Sequence, residues 1–323
     1  METDATAVDA VLIGRNEGAR LVAALDSLRG QVRRVVYVDS GSADGSVAAA
    51  EAAGATVVRL DRSAPFSAAR GRNAGFAALD APGLVLFIDG DCALVPGFVD
   101  AARARLAQDP RLGLVTGWRE EVRPGASLYN RLCDWEWHRP AGPITSCGGD
   151  ILVRAGAWRS VDGQRPDLIA GEDEEFCLRL ASAGWRLERL PLAVTRHDAA
   201  MTRFSQWWRR ATRAGHAFAQ VGRLHPRHWR AERRRVLFWA LILPAAILLA
   251  VTVSPWLAVL LALAYPVSGF RIAAMLRRDG VPARNVPALA ALLVLSKCPN
   301  LLGMATFWTR RLRGRAMTLI EYK

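Results

Sequence analysis

Four short stretches of this sequence place carboxylates, guanidiniums and small residues at spacings that suit chemistry on a phosphate. In FIDGDC, residues 87–92, an apolar run delivers Asp89 and Asp91 two residues apart around a glycine. Their hard oxygens suit Mg2+ or Mn2+, ions that bridge the oxygens of a diphosphate. In YVDSGSADGS, 37–46, Asp39, Ser40 and Asp44 share a polar, glycine-bearing turn able to read a base edge or a ribose. Asp39 can accept from a pyrimidine imide N–H. In RGRNAG, 70–75, Arg70 and Arg72 offer guanidinium donors to phosphate, and Asn73 can bind the loops beside it. AGEDEEFCLRL, 170–180, opens on Glu172, Asp173, Glu174 and Glu175. A helix N-terminus favours such acids by its dipole. Close to a metal and a diphosphate, they could also supply a general base for an acceptor hydroxyl.

The elements that must position these residues follow from periodicity. Apolar runs at 8–13, 34–38, 55–59 and 84–88 read as short strands. Between them, 19–29, the Ala-rich stretch to about 53, and 67–80 read as helices. Pro96 is expected to open a helix to about 108 from the N1 position. Beyond it the pattern predicts a strand over 112–117, a helix over 126–139, a strand near 150–153, a helix over 172–183 and an extended run over 186–196. Strands alternating with helices predict an α/β fold, a mostly parallel sheet covered on both faces. Ligands bind such sheets at the carboxyl ends of the strands. Asn16, Asp39, Ser40, Asp89 and Asp91 all fall there.

The chain has 323 residues, a formal charge of +13 and a slightly positive mean hydropathy. That composition excludes a disordered chain and a small disulfide scaffold. The charge is divided sharply. Residues 1–202 are net −4, 203–235 carry ten Arg against Glu232, 236–270 carry no charge, and 271–323 are net +8. A nucleic-acid-binding protein would put its basic face on the folded domain, so no nucleic-acid partner is expected. Basic residues beside apolar runs predict contact with membrane phospholipid. The five cysteines include no C-x-x-C pair and fit a reducing compartment. The first ten residues show no signal-peptide pattern.

Three domains are predicted: a catalytic domain over 1–200, a basic amphipathic interface segment over 201–235, and a membrane domain over 236–323 with a basic tail. Residues 236–254 are 19 uncharged residues, roughly 28 Å as a helix. With 256–275 they predict a membrane hairpin. Positive charge on both flanks puts its ends in the cytoplasm. The third run, 286–308, is interrupted by Lys297, Pro299 and Asn300 and is expected to be re-entrant or interfacial, returning to the cytoplasmic side.

Taken in order, the motifs resemble a family-2 glycosyltransferase of the GT-A fold over roughly residues 8–200. Asn16-Glu17 matches the family's first loop, and Val38 to Ser46 its nucleotide-binding V-D-x-G-S-x-D-G-[ST] turn. Arg72, Asn73 and Gly75 match A-R-N-x-G, with Gly71 in place of the alanine. Asp89 and Asp91 match D-x-D, and Gly148-Gly149-Asp150 the glycine-bearing loop on the acceptor or donor-sugar side. Glu172-Asp173 matches the E-D pair. The resemblance implies that Asp173 is the catalytic base and that Asp91 and the late His197 hold a divalent metal, Mg2+ or Mn2+. It implies that Asn16, Glu17, Asp39, Ser40, Asp44, Arg72, Asn73 and Asp89 bind the nucleotide. Gln206, Arg209 and Arg210 stand where related synthases carry Q-x-x-R-W, with Arg210 replacing the tryptophan, so processive polymerisation is not expected. The expected activity is inverting transfer of one sugar from a nucleotide-diphosphate sugar to a lipid-linked acceptor, in envelope polysaccharide or glycolipid assembly. The expected place is the inner membrane, with the catalytic domain facing the cytoplasm. A nucleotidyltransferase, or a non-catalytic membrane scaffold that binds sugar nucleotides, is the alternative.

Overall fold

A strand buried on both faces reads as continuous apolar sequence, and β1 (Val8–Gly14) shows this directly. Val8, Ala10 and Leu12 enter one core, while Val11 and Ile13 enter the other. The computed structural model describes residues 6–61, 63–318 and 320. Residues 1–5, part of the segment read for a signal peptide, lie outside that range. The chain divides into two units: Met1–Arg123 with Glu136–Ala199, and Pro124–Trp135 with Ala200–Lys323.

The first unit continues with α1 (Ala19–Leu28), β2 (Arg34–Asp39), α2 (Ser46–Ala52), β3 (Thr56–Arg59), α3 (Ala68–Ala77), β4 (Leu84–Asp89), β5 (Cys92–Leu94), α4 (Phe98–Gln108) and β6 (Leu112–Glu121). After α5 (Leu128–Trp137), divided between the units, come β7 (Gly142–Pro143), β8 (Ile151–Arg154), α6 (Ala155–Ser160), α7 (Glu172–Ser182) and β9 (Arg186–His197). The sheet order is β3-β2-β1-β4-β8-β6-β9-β5, with β7 beside β9. The first four strands are parallel, as expected. Beyond β4 the sheet is mixed: β8 runs antiparallel to both neighbours, β6 and β9 are parallel, and β5 is antiparallel to β9. Leu21, Leu25 and Phe98 pack one face; Trp158, Phe176 and Leu180 pack the other.

Two local expectations change. Pro96 does not occupy N1: the helix begins at Phe98 behind the left-handed Gly97, so the proline shapes the preceding turn. β6 runs on to Glu121, past the predicted end, with register shifts against β9. At Gly117 a Cβ would lie 2.4 Å from the Leu192 carbonyl oxygen, so only glycine allows that approach. The extension carries Arg119 and Glu121 forward beside β9.

The glycines of the Arg-Asn motif have a packing reason. A Cβ on Gly75 would sit 2.3 Å from Val11 Cγ1, and one on Gly71 3.0 Å from Ile13 Cγ2. Helix α3 therefore lies directly on β1, and Gly71 replaces the family's alanine where Ile13 fills the space.

In the second unit, α8 (Phe204–Leu224) and α9 (Arg230–Leu237) lead through a π-helical turn, Phe238–Ile242, into α10 (Leu243–Val253). Then come α11 (Pro255–Ala262), α12 (Ala264–Arg278), α13 (Val286–Leu295) and α14 (Lys297–Leu312). Three continuous helices, Arg230–Val253, Pro255–Arg278 and Val286–Leu312, are long and apolar enough to cross a membrane. Leu248, Leu249, Trp256 and Phe270 are all about 70% exposed or more, a surface that water does not tolerate in a large patch. The chain passes from α13 to α14 through the single turn residue Ser296, so the Lys297/Pro299/Asn300 stretch is helical. Pro299 falls in the first turn of α14, where its missing N–H costs little. Helices α8 and α14 approach at glycines: a Cβ on Gly215 would meet the Asn300 carbonyl at 2.0 Å, and one on Gly303 the Thr212 carbonyl at 1.9 Å.

The π-helical turn has a sequence cause in Pro244. The Leu243 N–H reaches the Phe238 carbonyl, the five-residue spacing of a π-helix. At that spacing the Trp239 carbonyl would look to residue 244, a proline without an N–H. The Tyr265 hydroxyl, on α12, donates to it instead at 2.7 Å.

Gly75→Ala is expected to destabilise the protein by about 1–3 kcal/mol, the usual cost of overpacking a core. Gly156→Ala, where nothing lies within 4 Å of the added carbon, is expected to be neutral. Thermal unfolding of the two purified variants checks the pair; equal melting temperatures would refute the close packing.

Candidate active site

The parallel strands set the spacing of the site. Asp39 ends β2 opposite Gly14, and Asp89 ends β4 opposite Ile13. Both flank β1, so they stand about two strand spacings, roughly 10 Å, apart. The loops after β1 and β2 are laced together. Asn16, at φ 57°, accepts from the Ala43 N–H at 2.7 Å and donates its own N–H to Ser42 Oγ at 2.9 Å. Asparagine tolerates that left-handed conformation better than most residues. The Ser46 hydroxyl accepts from the Glu17 and Gly18 N–H groups, and the Asp44 carboxylate accepts from the Ser46 N–H. Asp39 accepts from the Gly41 and Ser42 N–H groups. An open cleft of about 360 Å3 lies here, lined by Asp39, Gly41, Ser42, Asp44, Val47, Arg59 and Leu60. Asn16, Glu17, Asp39, Ser40 and Asp44 are thus gathered into one pair of loops.

Arg72 sits beside this edge with its side chain only 2% exposed. Its guanidinium donates to Asp89 at 2.9 Å, to Asp173 at 2.7 Å and to Glu172 at 3.5 Å. It also donates to the Gln164 amide oxygen at 3.3 Å. Burial alone would lower the arginine's pKa, but Asp173, Asp89 and Glu172 outweigh it and raise it. A Cβ on Gly149 would fall 2.0 Å from the guanidinium, so the glycine leaves room for the charge. The expectation that Arg72 contacts phosphate therefore meets a guanidinium directed at carboxylates. Asn73 is similarly committed: it donates to the Gln164 carbonyl at 2.6 Å and accepts from the Gln164 N–H at 2.9 Å.

Asp173, in the first turn of α7, accepts from Arg72 and from the Gln164 amide at 2.9 Å. Burial pushes its pKa up to about 7, against the pull of Arg72 and with a further push from Glu172. Burial and the neighbouring Asp173 charge lift Glu174 to about 8. Asp150 is clamped by Arg119 at 2.6 and 2.7 Å and by the Thr195 hydroxyl at 2.5 Å. Arg119 also reaches Asp89 at 3.2 Å. A Cβ on Gly148 would meet nothing within 4 Å.

Asp91 and His197 meet as expected, with Oδ2 and Nε2 3.2 Å apart and both side chains buried. Burial, then the Arg119 charge, lowers the imidazole to about 4, which keeps it neutral and fit to bind a metal. Trp137 packs edge-on against the ring at 5.1 Å. Two overlapping trios, Asp91/Cys92/His197 and Asp89/Cys92/Asp150, each hold their ligand atoms within 4.8 Å of one another. The first trio joins a carboxylate to a neutral imidazole and the second holds two carboxylates, donors of the kind that suit a divalent cation.

Gln206, Arg209 and Arg210 belong to α8, in the second unit. The Gln206 amide caps that helix, accepting from the Thr202 and Arg203 N–H groups at 3.0 Å. Arg119, Gln164, Thr195 and Cys92 were not singled out from the sequence. Arg119 lies in the extension of β6 beyond its predicted end. Gln164 lies in a loop that no motif marks. Cys92 directly follows the D-x-D and carried a visible signal.

A strand-edge cleft lined by Asp39 and Asp44, the neighbouring Asp91–His197 pair and the half-buried Asp173 carboxylate on α7 are carried by a GT-A-type sheet. The family model for glycosyl transferase family 2 matches residues 9–149, and that for glycosyl transferase family group 2 matches 84–295. The chain belongs to the family-2 glycosyltransferases. It is 30% identical over 233 residues to the pre-mycofactocin glycosyltransferase of Mycobacterium tuberculosis, covering 68% of this chain and 48% of that one. It is 30% identical over 190 residues to a TPR repeat-containing protein of Synechococcus elongatus, covering 59% and 41%. The chain thus spans less than half the length of these curated relatives. A mannosyltransferase from Pyrobaculum calidifontis, solved with GDP-Man and Mn2+, shares the fold with a TM-score of 0.59 at 21% identity, over 91% of this chain and 86% of that one. Residues 1–349 of S. aureus TarS, solved with UDP-GlcNAc, share it at 0.52 and 15% identity, over 96% and 92%.

Removing the Arg72 guanidinium would leave Asp173 and Glu172 without their cationic partner and Asp89 with Arg119 alone. Arg72→Met is expected to cost about 3–5 kcal/mol of stability, as for other broken buried ion pairs. Arg72→Lys should recover only part, because one ammonium cannot serve divergent partners. Denaturant midpoints of the purified variants decide it; an unchanged midpoint in Arg72→Met would refute the role.

Proposed function

We propose that this protein is an inverting, metal-dependent glycosyltransferase that moves one sugar from a nucleotide-diphosphate sugar to a lipid-linked acceptor. The observation that carries the reading is the convergence on one sheet edge of the Asp39 cleft, the Asp91–His197 pair and Asp173. The relatives' titles, with GDP-Man and Mn2+ or UDP-GlcNAc at similar folds, support donor and cation of this chemical class.

In this reading the base and ribose lie in the cleft under Asp39 and Asp44, with the loop of Asn16, Glu17 and Ser40 closing around them. The roughly 10 Å from Asp39 to Asp89 suits a nucleoside diphosphate laid across β1. Asp91 and His197 would hold a divalent ion, which when bound would neutralise charge on the departing diphosphate. Arg72 and Arg119 fix Asp89 and keep the carboxylates from spreading. Gly148, Gly149 and Asp150 shape the sugar side, beside Glu172. Asp173 takes the acceptor hydroxyl's proton as its oxygen attacks the anomeric carbon, and a single displacement inverts the configuration. Raised to about 7, Asp173 is a stronger base than an ordinary carboxylate, and still ionised above neutrality.

The lipid acceptor is inferred from the covalent tether. The catalytic unit shares its chain with three membrane-length helices and with a segment, 203–235, rich in Trp and Arg. Such residues settle at headgroup depth and near lipid phosphate. Gln206, Arg209 and Arg210 lie in that segment and belong to the acceptor side. The charge pattern supports a catalytic unit on the cytoplasmic face of the inner membrane, with the 286–308 run re-entrant or interfacial and ending on that same face.

The test is a screen of labelled nucleotide sugars on membranes containing the protein, reading label in the lipid extract. Asp173→Asn should lose at least ~100-fold in transfer while still binding nucleotide. Because the raised carboxyl must be ionised to act, kcat/KM should fall as pH drops below about 7. Chelation should stop transfer, and the product anomer should be inverted. Label found only on water-soluble acceptors, or full turnover by Asp173→Asn, would overturn the reading.

Orientation has its own test. Ala316→Cys, in a Cys298→Ser background, should resist an impermeant thiol reagent in sealed cells and react once they are opened. Labelling from outside would refute a cytoplasmic C-terminus.

A further inference from the structure

The residue after the D-x-D has no part in the mechanism above, yet it lies inside the cation-ligating group. Cys92 is the first residue of β5, and its register partner across antiparallel β9 is His197. Partners across an antiparallel ladder send their side chains to the same face of the sheet. The Cys92 thiol, an Asp91 carboxylate oxygen and a His197 ring nitrogen accordingly fall within 4.8 Å of one another, all three residues buried. The thiol lies 3.5 Å from Asp91 Oδ1. The same sulfur also completes a trio with Asp89 and Asp150. Hard-cation sites are built from oxygen, with an occasional imidazole, and a thiol adds nothing to them. Carboxylate, imidazole and thiolate together are the donors of zinc and its neighbours.

We propose that Cys92 is a sulfur ligand that makes this cation site bind Zn2+, Co2+ and Cd2+ more tightly than Mg2+ or Mn2+, and that the sulfur-bound form is inhibited. The inference rests on the reading of Asp91 and His197 as cation ligands. On binding, a metal–sulfur bond forms, the S–H bond breaks and its proton leaves to solvent. Hard ions gain little from that exchange, because the thiol's proton must be given up for a weak bond to sulfur. With a soft ion, the thiolate cancels one positive charge. Less charge then remains to draw electrons from a departing diphosphate. Cys92 thus acts as a selectivity element for the ion.

The full-length protein in detergent is titrated with Co2+, and absorbance is read in the near ultraviolet. The wild-type protein should show an intense sulfur-to-cobalt charge-transfer band, which one equivalent of Zn2+ abolishes. In Cys92→Ser, and in Cys92→Ala as a second variant, the band should vanish. Zn2+ affinity should fall at least ~100-fold, more than the loss of an outer-shell partner would give. Mn2+ affinity, read from the electron paramagnetic resonance of free Mn2+, should hold. Cys147 and Cys177 stand with sulfurs 3.6 Å apart and are the competing source of such a band. A band that survives in both Cys92 variants but disappears in Cys147→Ser would overturn the proposal. So would Co2+ binding without any sulfur band, which leaves the Asp91–His197 reading intact. Failure to bind Mn2+ or Co2+ at all would sink that reading and this inference together.

Discussion

The structure of the first unit depends on one buried guanidinium. Taking an arginine out of water costs several kcal/mol unless opposite charge and hydrogen bonds meet it. Arg72 recovers that cost from Asp89, Asp173 and Glu172, which come from β4 and α7 and lie up to 101 residues away in sequence. Gly149 leaves the space, and Gln164 ties the loop between. The strand edge, the helix of the proposed base and the glycine loop are therefore fixed by the need to neutralise a single ion. Because the compensation is built into the fold, the carboxylates are held in place before any ligand arrives.

The same charge balance separates the two aspartates of the D-x-D. Asp89 lies between two guanidiniums, Arg72 at 2.9 Å and Arg119 at 3.2 Å. Asp91 faces a neutral imidazole at 3.2 Å. Two residues apart in sequence, they differ in surroundings: one completes the protein's internal ion-pair network, and the other stands with a histidine and a cysteine able to ligate a cation. Asp173 lies farther along the network. It touches the guanidinium, yet burial and the nearby acids hold it near neutrality, the range in which a carboxyl can exchange protons at physiological pH.

Much of this was legible in the residues. The first four strands were readable because burial on both faces leaves an unbroken apolar run, and Asp39, Asp89 and Asp91 were readable because they end such runs. The direction of the later strands was not, since side-chain alternation has the same period in parallel and antiparallel strands. Arg119 was invisible for a related reason: β6 runs into polar sequence, held there by β9 and by Gly117 rather than by apolar content. Arg72 was found by its motif, but its burial was not, because an isolated arginine reads as a surface group. The helix through Lys297, Pro299 and Asn300 eluded the hydropathy pattern, because α8 packs along it and buries Pro299 and Asn300.

The Trp239 carbonyl ties the first apolar helix to the second. Pro244 deprives that oxygen of its helical donor, and Tyr265 of the following helix provides one. In water the oxygen would be satisfied by solvent. In hydrocarbon an orphan carbonyl costs several kcal/mol. Were these helices to cross a bilayer, as proposed above, the first would be complete only with its successor's phenol laid against it, and the two would be stable there as a pair rather than singly.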